Sequence, residues 1–592
     1  LFQRCTHNLT SSAHRLKKNR FCTLMIDPSI CRERILSEDF YDFILNDIRT
    51  PFLTGITQED LCSQDAGFGY RCLYLSRLQS GPLSLDKFTY HSIPLCYTPT
   101  SLDTLNQAGI LPLQNYPTLQ LTGKGILIGF LDGGIDYQNP IFRNIDGSSR
   151  IVGIWDQTVQ TGTPPAGFAY GSEYDQDTID QALKLDQPFD LVPTVDETGH
   201  GTFTASLACG GGVPEESFLG AASDAAIAVV KLKSAKQYLK DYYFIPDGVP
   251  CYQENDIILG LYYLDQLAKR LDLPLVYCIT LGTSGGGHLG DRPLPLVLNG
   301  YGSLANRIPV IGTGNEADKR HHFYNEIPDQ QTSQTVEIRV GEQVTGFTME
   351  LWTSIPNILS IALTSPSGET TTRIPIRVNS RTDFEFLYER TKVTIDYRLI
   401  VEKGTAELIF FRFDQPSPGI WKIEVEPVRI IDGRYHLWLP VSEFLSGEVY
   451  FLDSNPDYTI LNPGNSASPV TVSYYDGANG AVALASGRGY SRNDRIEPSI
   501  TAPGINVKGA LPSGRFAVRS GASISCAVTA GAVALLLEWI LKKMGTPGID
   551  AFQIQSILIL GAVRAPGKEF PNREWGYGQL NLFNTFNEIR ML

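Results

Sequence analysis

Three short segments carry residue types able to cleave an acyl bond, in the chain order Asp, His, Ser. The first, Ile126-Leu-Ile-Gly-Phe-Leu-Asp132-Gly-Gly-Ile-Asp136, sets a carboxylate at the end of a continuous apolar run. The second, Asp196-Glu-Thr-Gly-His200-Gly-Thr202, sets an imidazole between glycines, which let backbone or substrate come close. The third, Ser520-Gly521-Ala-Ser523-Ile-Ser-Cys-Ala-Val-Thr-Ala-Gly531, puts a hydroxyl at the start of an apolar helix. Free N–H groups and the helix dipole favour developing negative charge there. A serine hydroxyl is a weak nucleophile at neutral pH and needs a base. Histidine titrates near neutrality, so it can take the proton and later return it to a leaving amine. A carboxylate fixes the histidine tautomer and stabilises the imidazolium. A fourth segment, Pro309-Val-Ile-Gly-Thr-Gly-Asn315-Glu, offers a side-chain amide after another apolar run, a candidate oxyanion donor.

Residues so distant in sequence meet only if strand ends and helix starts converge. Gly125–Leu131, Ala225–Lys231 and Leu275–Leu281 read as buried strands. Phe203–Cys209, Glu254–Leu267 and Ala527–Leu541 read as helices, the second with Ile257, Ile258, Leu261, Leu264 and Leu267 at helical spacing. Strands alternating with helices predict a parallel sheet covered on both faces, with its site beyond the carboxyl ends of the strands. Residues 1–90 are mixed, with a helix expected over Glu33–Asp47 and a strand near Tyr70–Leu75. From about residue 325 the texture changes. Thr335–Val340 and Trp421–Glu426 alternate with period two, the latter after the turn Pro416–Gly419, and Thr391–Val401 and Ala406–Phe413 also read as strands. This predicts an all-β sandwich. The divisions are then 1–90, 91–325, 326–455 and 456–592, and no internal repeat is visible.

Composition narrows the function classes. Among 592 residues, 49 Lys+Arg against 63 Asp+Glu leave a net charge of −14, with 42% hydrophobic and 19% charged residues. That supports several packed cores and argues against sequence-independent nucleic-acid binding, which needs cations facing phosphates. No stretch reads as approaching the ~20 apolar residues of a membrane span. Leu1–Met25 carries Arg4, Arg15, Lys17, Lys18 and Arg20 without an apolar run after them, so no secretory signal is expected. Ten scattered cysteines form no C-x-x-C pair, and several, such as Cys278, sit in apolar runs. Free buried thiols in a reducing compartment are expected rather than zinc or a disulfide framework. The acidic cluster Asp175–Asp180 could hold structural calcium, but no ligand spacing matches a calcium loop; no metal site and no required cofactor are expected. His7, His14, His91, His321, His322 and His436 lie outside the motifs; His288, in Gly285-Gly-Gly-His-Leu-Gly, either borders a substrate cleft or is a loop residue. Gly285–Gly287 is followed by no Gly-Lys-Ser/Thr, so it is no phosphate loop, and Gly521-x-Ser523-x-Ser525 lacks the last glycine of an α/β-hydrolase elbow.

Taken together, the four motifs resemble the subtilisin-like serine proteases (subtilases, peptidase family S8). The resemblance implies a subtilisin-like α/β catalytic domain in which Asp132, His200 and Ser523 form the triad and Asn315, in Gly-Asn-Glu, lines the oxyanion hole. It further implies that Thr280, Leu281 and Gly282 line the specificity pocket, that Ala485–Gly489 is a second substrate-binding segment, and that Glu574–Asn581 is the closing segment. Three positions depart from the family pattern: Gly133 stands for the usual Thr or Ser, Ile524 for Met, and Ala527 for Pro. Gly123–Tyr137 and Ser149–Gln157 are similar to the Csp-type germination proteases of spore-forming clostridia. That likeness implies an N-terminal α+β prodomain, acting as intramolecular chaperone and inhibitor, and an inserted all-β jelly-roll domain. Lys87-Phe-Thr-Tyr-His91-Ser-Ile-Pro-Leu resembles a prodomain junction, so cleavage is expected between Tyr90 and His91. The expectation is a self-processing serine endopeptidase of the bacterial cytoplasm or spore. Its partner is a protein or peptide substrate, which it activates by limited proteolysis as in germination. The alternative is a catalytically silent chain acting as a binding or signalling scaffold.

Overall fold

Six parallel strands form the middle of the molecule, in the spatial order Val470–Asp476, Arg307–Gly312, Leu275–Ile279, Leu127–Asp132, Ala226–Lys231 and Ile151–Asp156. The computed structural model describes residues 28–46, 62–99, 108–111, 120–374, 379–399 and 406–591. Ala481–Val482 and Ser172–Asp175 add antiparallel strands at the two ends, and Ile500–Pro503 pairs parallel with Val470–Asp476. After Leu127–Asp132 the chain builds the two strands on one side, then crosses to Leu275–Ile279 on the other. The strand order therefore reverses beside Asp132, and a crevice forms past the carboxyl ends there.

The helix Ala522–Glu538 runs through the core, with every residue buried. Counted to Lys543 it has 22 residues and by length and composition could cross a membrane. The expectation that no stretch approaches a span is corrected by this helix, whose apolar run Ser523, Ser525 and Thr529 interrupt in the sequence. Sheet strands and the helix His200–Cys209 cover it instead of lipid.

The N-terminal unit differs from the expected pattern. A helix spans Pro28–Leu36 only, and Phe40–Asn46 is a strand that pairs along its whole length with Tyr70–Ser76. Its aromatic and apolar residues suit a half-buried pleated surface, and pairing overrides the helical spacing seen in isolation. Cys31 and Cys62 are joined as a disulfide, whereas Cys72, Cys96, Cys209, Cys251, Cys278 and Cys526 are free and buried. The expectation of free thiols fails for these two, because a pair 31 residues apart carries no local signature in the sequence. The basic arm up to Met25, with Cys5, Cys22, His7 and His14, lies outside the described residues.

A buried ion pair fastens this unit to the sheet domain. Asp42 lies 2.5 Å from Lys236 Nζ and accepts from Gln253 Nε2 at 3.0 Å and Asn255 Nδ2 at 3.2 Å. The same ammonium donates to the Arg34 and Phe40 carbonyls at 3.2 and 3.1 Å. Removing one partner of a buried pair strands the other charge. Asp42→Ala, placed in a Ser523→Ala background to prevent cutting, is expected to cost about 3–5 kcal/mol in chemical denaturation.

Between Asn315 and Ser523 lies a β unit of two antiparallel sheets. One holds His322–Glu326, Arg434–Trp438, Gly346–Ser354, Ala406–Asp414, Lys392–Leu399 and Ser380–Glu385 in that order. The other holds Ile358–Thr364, Gly419–Arg429, Gln334–Val340 and Val449–Phe451. Their inner faces share one apolar core, including Trp421, Phe411 and Ile338. The first strand starts at His322, slightly before the residue 326 boundary drawn from texture.

Candidate active site

Asp132 ends the central strand and is buried. Its Oδ1 accepts from the Gly133 N–H at 2.7 Å; its Oδ2 accepts from the Thr280 hydroxyl at 3.1 Å and lies 2.7 Å from His200 Nδ1. An ionised carboxylate only accepts, so Nδ1 carries the proton and Nε2 presents a lone pair. That Nε2 lies 3.0 Å from Ser523 Oγ. The structure thus joins Asp132, His200 and Ser523 in one hydrogen-bonded chain, able to withdraw a proton from Oγ as it attacks.

Local chemistry positions each member. His200 opens the helix His200–Cys209, and Asp196 satisfies the donors around that helix start. Its carboxylate accepts from the N–H groups of Gly199 and Thr202, each at 2.8 Å, and from the Thr202 hydroxyl at 2.7 Å. An aspartate a few residues before a helix is a capping signal in sequence, and that signal could have assigned Asp196 this role within the histidine motif. A Cβ on Gly201 would stand 2.0 Å from the Gly134 carbonyl oxygen, so the helix start and the strand end meet only because that side chain is absent. Ser523 is the second residue of its helix, and Gly521 precedes it at φ 144°, a backbone that glycine tolerates. Asn315 follows the strand Arg307–Gly312 and accepts from the Ala522 N–H at 3.1 Å through Oδ1. Its amide N–H₂ is thereby left to donate beside the start of the Ser523 helix.

One departure from the family pattern acquires a physical reason. The Tyr252 hydroxyl lies 2.9 Å from where a Cβ on Gly133 would stand, so a tyrosine fills the space of the usual Thr or Ser. Burial, reinforced by the Asp132 and Asp196 carboxylates, pushes this phenol's pKa up and keeps it neutral. Nothing in the sequence announces Tyr252, because its partner lies more than a hundred residues away.

Thr280, Leu281 and Gly282 divide between two roles. Thr280 bonds Asp132, whereas Leu281 and Gly282 pair antiparallel with Pro99 and Thr98. The strand Cys96–Pro99 pairs on its other side with Tyr252–Gln253, so a piece of the chain lies between two receiving strands. The structure does not bring Tyr90 and His91 to the Asp-His-Ser chain. They form one buried turn, eight residues before Thr98, with Arg292 donating to the Tyr90 carbonyl at 3.1 Å. Arg292 also donates to the Ile93 carbonyl at 3.0 Å. Ala485–Gly489 approaches the Asn315 loop, where Gly487 N–H donates to Gly314 at 3.0 Å. His288 is buried and stacked on Trp438. In the Asp175–Asp180 cluster, Asp175 caps a helix by accepting from Thr178 N–H at 2.9 Å and Asp180 accepts from Ser149 N–H at 2.6 Å. Among the described residues no group of three or more His, Cys, Asp or Glu is placed to hold a metal ion.

Residues 123–368 and 446–578 match the model of the Subtilase family. The structure of the Clostridium perfringens CspB protease is similar, with a TM-score of 0.73 and 28% identity, covering 82% of this chain and 98% of that one. The protease domain of PatA matches at TM-score 0.40 and 14% identity, covering 80% of this chain and 98% of that one. The prenylagaramide maturation protease PagA matches at TM-score 0.40 and 12% identity, covering 81% and 98%.

Proposed function

The chain belongs to the subtilase family and is a subtilisin-like serine endopeptidase of the Csp type, and we propose that Asp132, His200 and Ser523 are its catalytic triad. The observation that carries this reading is the bonded path from Asp132 Oδ2 through His200 to Ser523 Oγ, with spans of 2.7 and 3.0 Å. Ser523 Oγ attacks the peptide carbonyl while His200 Nε2 takes its proton. Asp132 holds the ring and offsets the imidazolium charge. The Asn315 amide and the Ser523 N–H receive the oxyanion. His200 then protonates the leaving amine, and water reverses the sequence on the acyl-enzyme. A fluorophosphonate probe should label the processed protein and fail to label Ser523→Ala. Absence of labelling after removal of the N-terminal unit would sink this reading in favour of a silent scaffold.

The enzyme is made as a zymogen whose N-terminal segment lies where a substrate strand lies. Support comes from the pairing of Leu281 with Pro99 and Gly282 with Thr98. Tyr90 and His91 stand before the strand Cys96–Pro99 that occupies this position, so the cut is expected after Pro99, and N-terminal sequencing of the mature enzyme should read a residue beyond it. A mature chain starting at His91 would refute this placement. The resemblance of Gly123–Tyr137 and Ser149–Gln157 to the Csp-type germination proteases supports limited proteolysis of another protein as the physiological task, with spore germination as the setting.

A further inference from the structure

The β unit inserted between Asn315 and Ser523 reaches the site through the loop that follows Gly282. Ser284 Oγ donates to the Leu439 carbonyl at 2.7 Å, and Gly286 N–H donates to Glu350 Oε2 at 2.9 Å. Gly287 lies against Trp352, whose ring would stand 3.3 Å from a Cβ at that position. The His288 ring stacks on Trp438 with centroids 4.1 Å apart and planes 9° from parallel. On the opposite wall, Glu316 beside Asn315 accepts from Ser442 Oγ at 3.1 Å. Gly285–Gly287 has no side chains of its own to lock it, so its conformation must be imposed from outside.

Glu350 is the carboxyl group that the β unit brings to these contacts, and it is buried. Its carboxylate accepts from the Tyr90 hydroxyl at 2.6 Å, from Gly286 N–H and from Trp352 Nε1 at 2.8 Å. The three donors belong to the linker ahead of the strand Cys96–Pro99, to the substrate-side loop and to the β unit. Removing the carboxylate would leave three buried donors unmade at once. None of its bonds goes to Asp132, His200 or Ser523, so the chemistry above leaves it unused.

We propose that Glu350 is a positioning residue, through which the β unit holds the Gly282–His288 wall in the shape that receives a substrate strand. The inference rests on the peptidase reading and gives the insert a role in it. Two measurements test it, one on the self-processed enzyme and one on the uncut chain. Glu350→Ala is expected to raise KM for an extended peptide about tenfold, because of the three donors it leaves unmade only Gly286 N–H lies on the substrate-side loop, with kcat changed less than about twofold. Glu350→Gln keeps one carbonyl acceptor of the same shape and should restore part of that loss. In the Ser523→Ala background, hydrogen exchange at residues 283–288 should quicken on Glu350→Ala. Unchanged KM together with unchanged exchange would overturn the proposal. So would an equal fall in kcat for both variants with a lowered Tm, the mark of a merely structural residue. A wild-type chain that hydrolyses nothing, yet whose loop still quickens on Glu350→Ala, would refute the peptidase reading and leave Glu350's hold on the wall intact.

Discussion

Ser523→Ala is expected to remain a single uncut chain and to lose hydrolysis by on the order of a million-fold in kcat. The size of the effect follows from what is removed. Ser525, the next hydroxyl along the helix, is not placed to substitute: it donates back to the Ala522 carbonyl at 2.9 Å. Residual turnover would come from binding and the oxyanion donors alone, which act without a covalent step. The fold should survive, because the change deletes one oxygen at a helix start and leaves Gly521 and the apolar face untouched. Intact mass and single-turnover kinetics check both halves. Self-cleavage persisting in this variant would mean that another group carries the chemistry.

The second large effect is expected at Asp132. Asp132→Asn should lower kcat by about ten-thousandfold with little change in KM. The oxygen facing His200 Nδ1 is Oδ2, which also receives the Thr280 hydroxyl, while Oδ1 receives the Gly133 N–H. The main-chain N–H holds a carbonyl at Oδ1, so the new amide nitrogen must take the Oδ2 position. It then donates toward Nδ1, which drives the histidine proton to Nε2 and turns the base into a donor facing Ser523. Steady-state kinetics at neutral pH, repeated at higher pH, measure the loss. A variant retaining most of its kcat would show that tautomer control is not what Asp132 supplies.

Much of this architecture is legible because it rests on local patterns. The run ending at Asp132 reads as a buried strand from apolar continuity, and Leu127–Asp132 is one. Glu254–Leu267 reads as a helix from its apolar spacing, and the helix runs Glu254–Arg270. Where pattern and packing disagree, packing prevails: the Glu33–Asp47 stretch contains the strand Phe40–Asn46 because Tyr70–Ser76 is there to pair with it. At Tyr90, likewise, the conformation depends on partners distant in the chain: Arg292 and Glu350 hold it in a buried turn.

What the sequence determines by itself is the inventory: which residue types stand at strand ends and helix starts, and therefore which reaction the chain is equipped to perform. Those features are local, set by a few neighbouring residues and by the hydrogen-bonding needs of strand and helix termini. Tertiary structure alone decides which segment lies along Leu281–Gly282, that Tyr252 fills the space over Gly133, that Asp196 closes the histidine helix, and that Glu350 reaches across to Gly286. Each of these depends on a distance between positions far apart in the chain or on the geometry of a turn. Such distances are fixed only when the sheet, the core helix and the β unit have packed against one another.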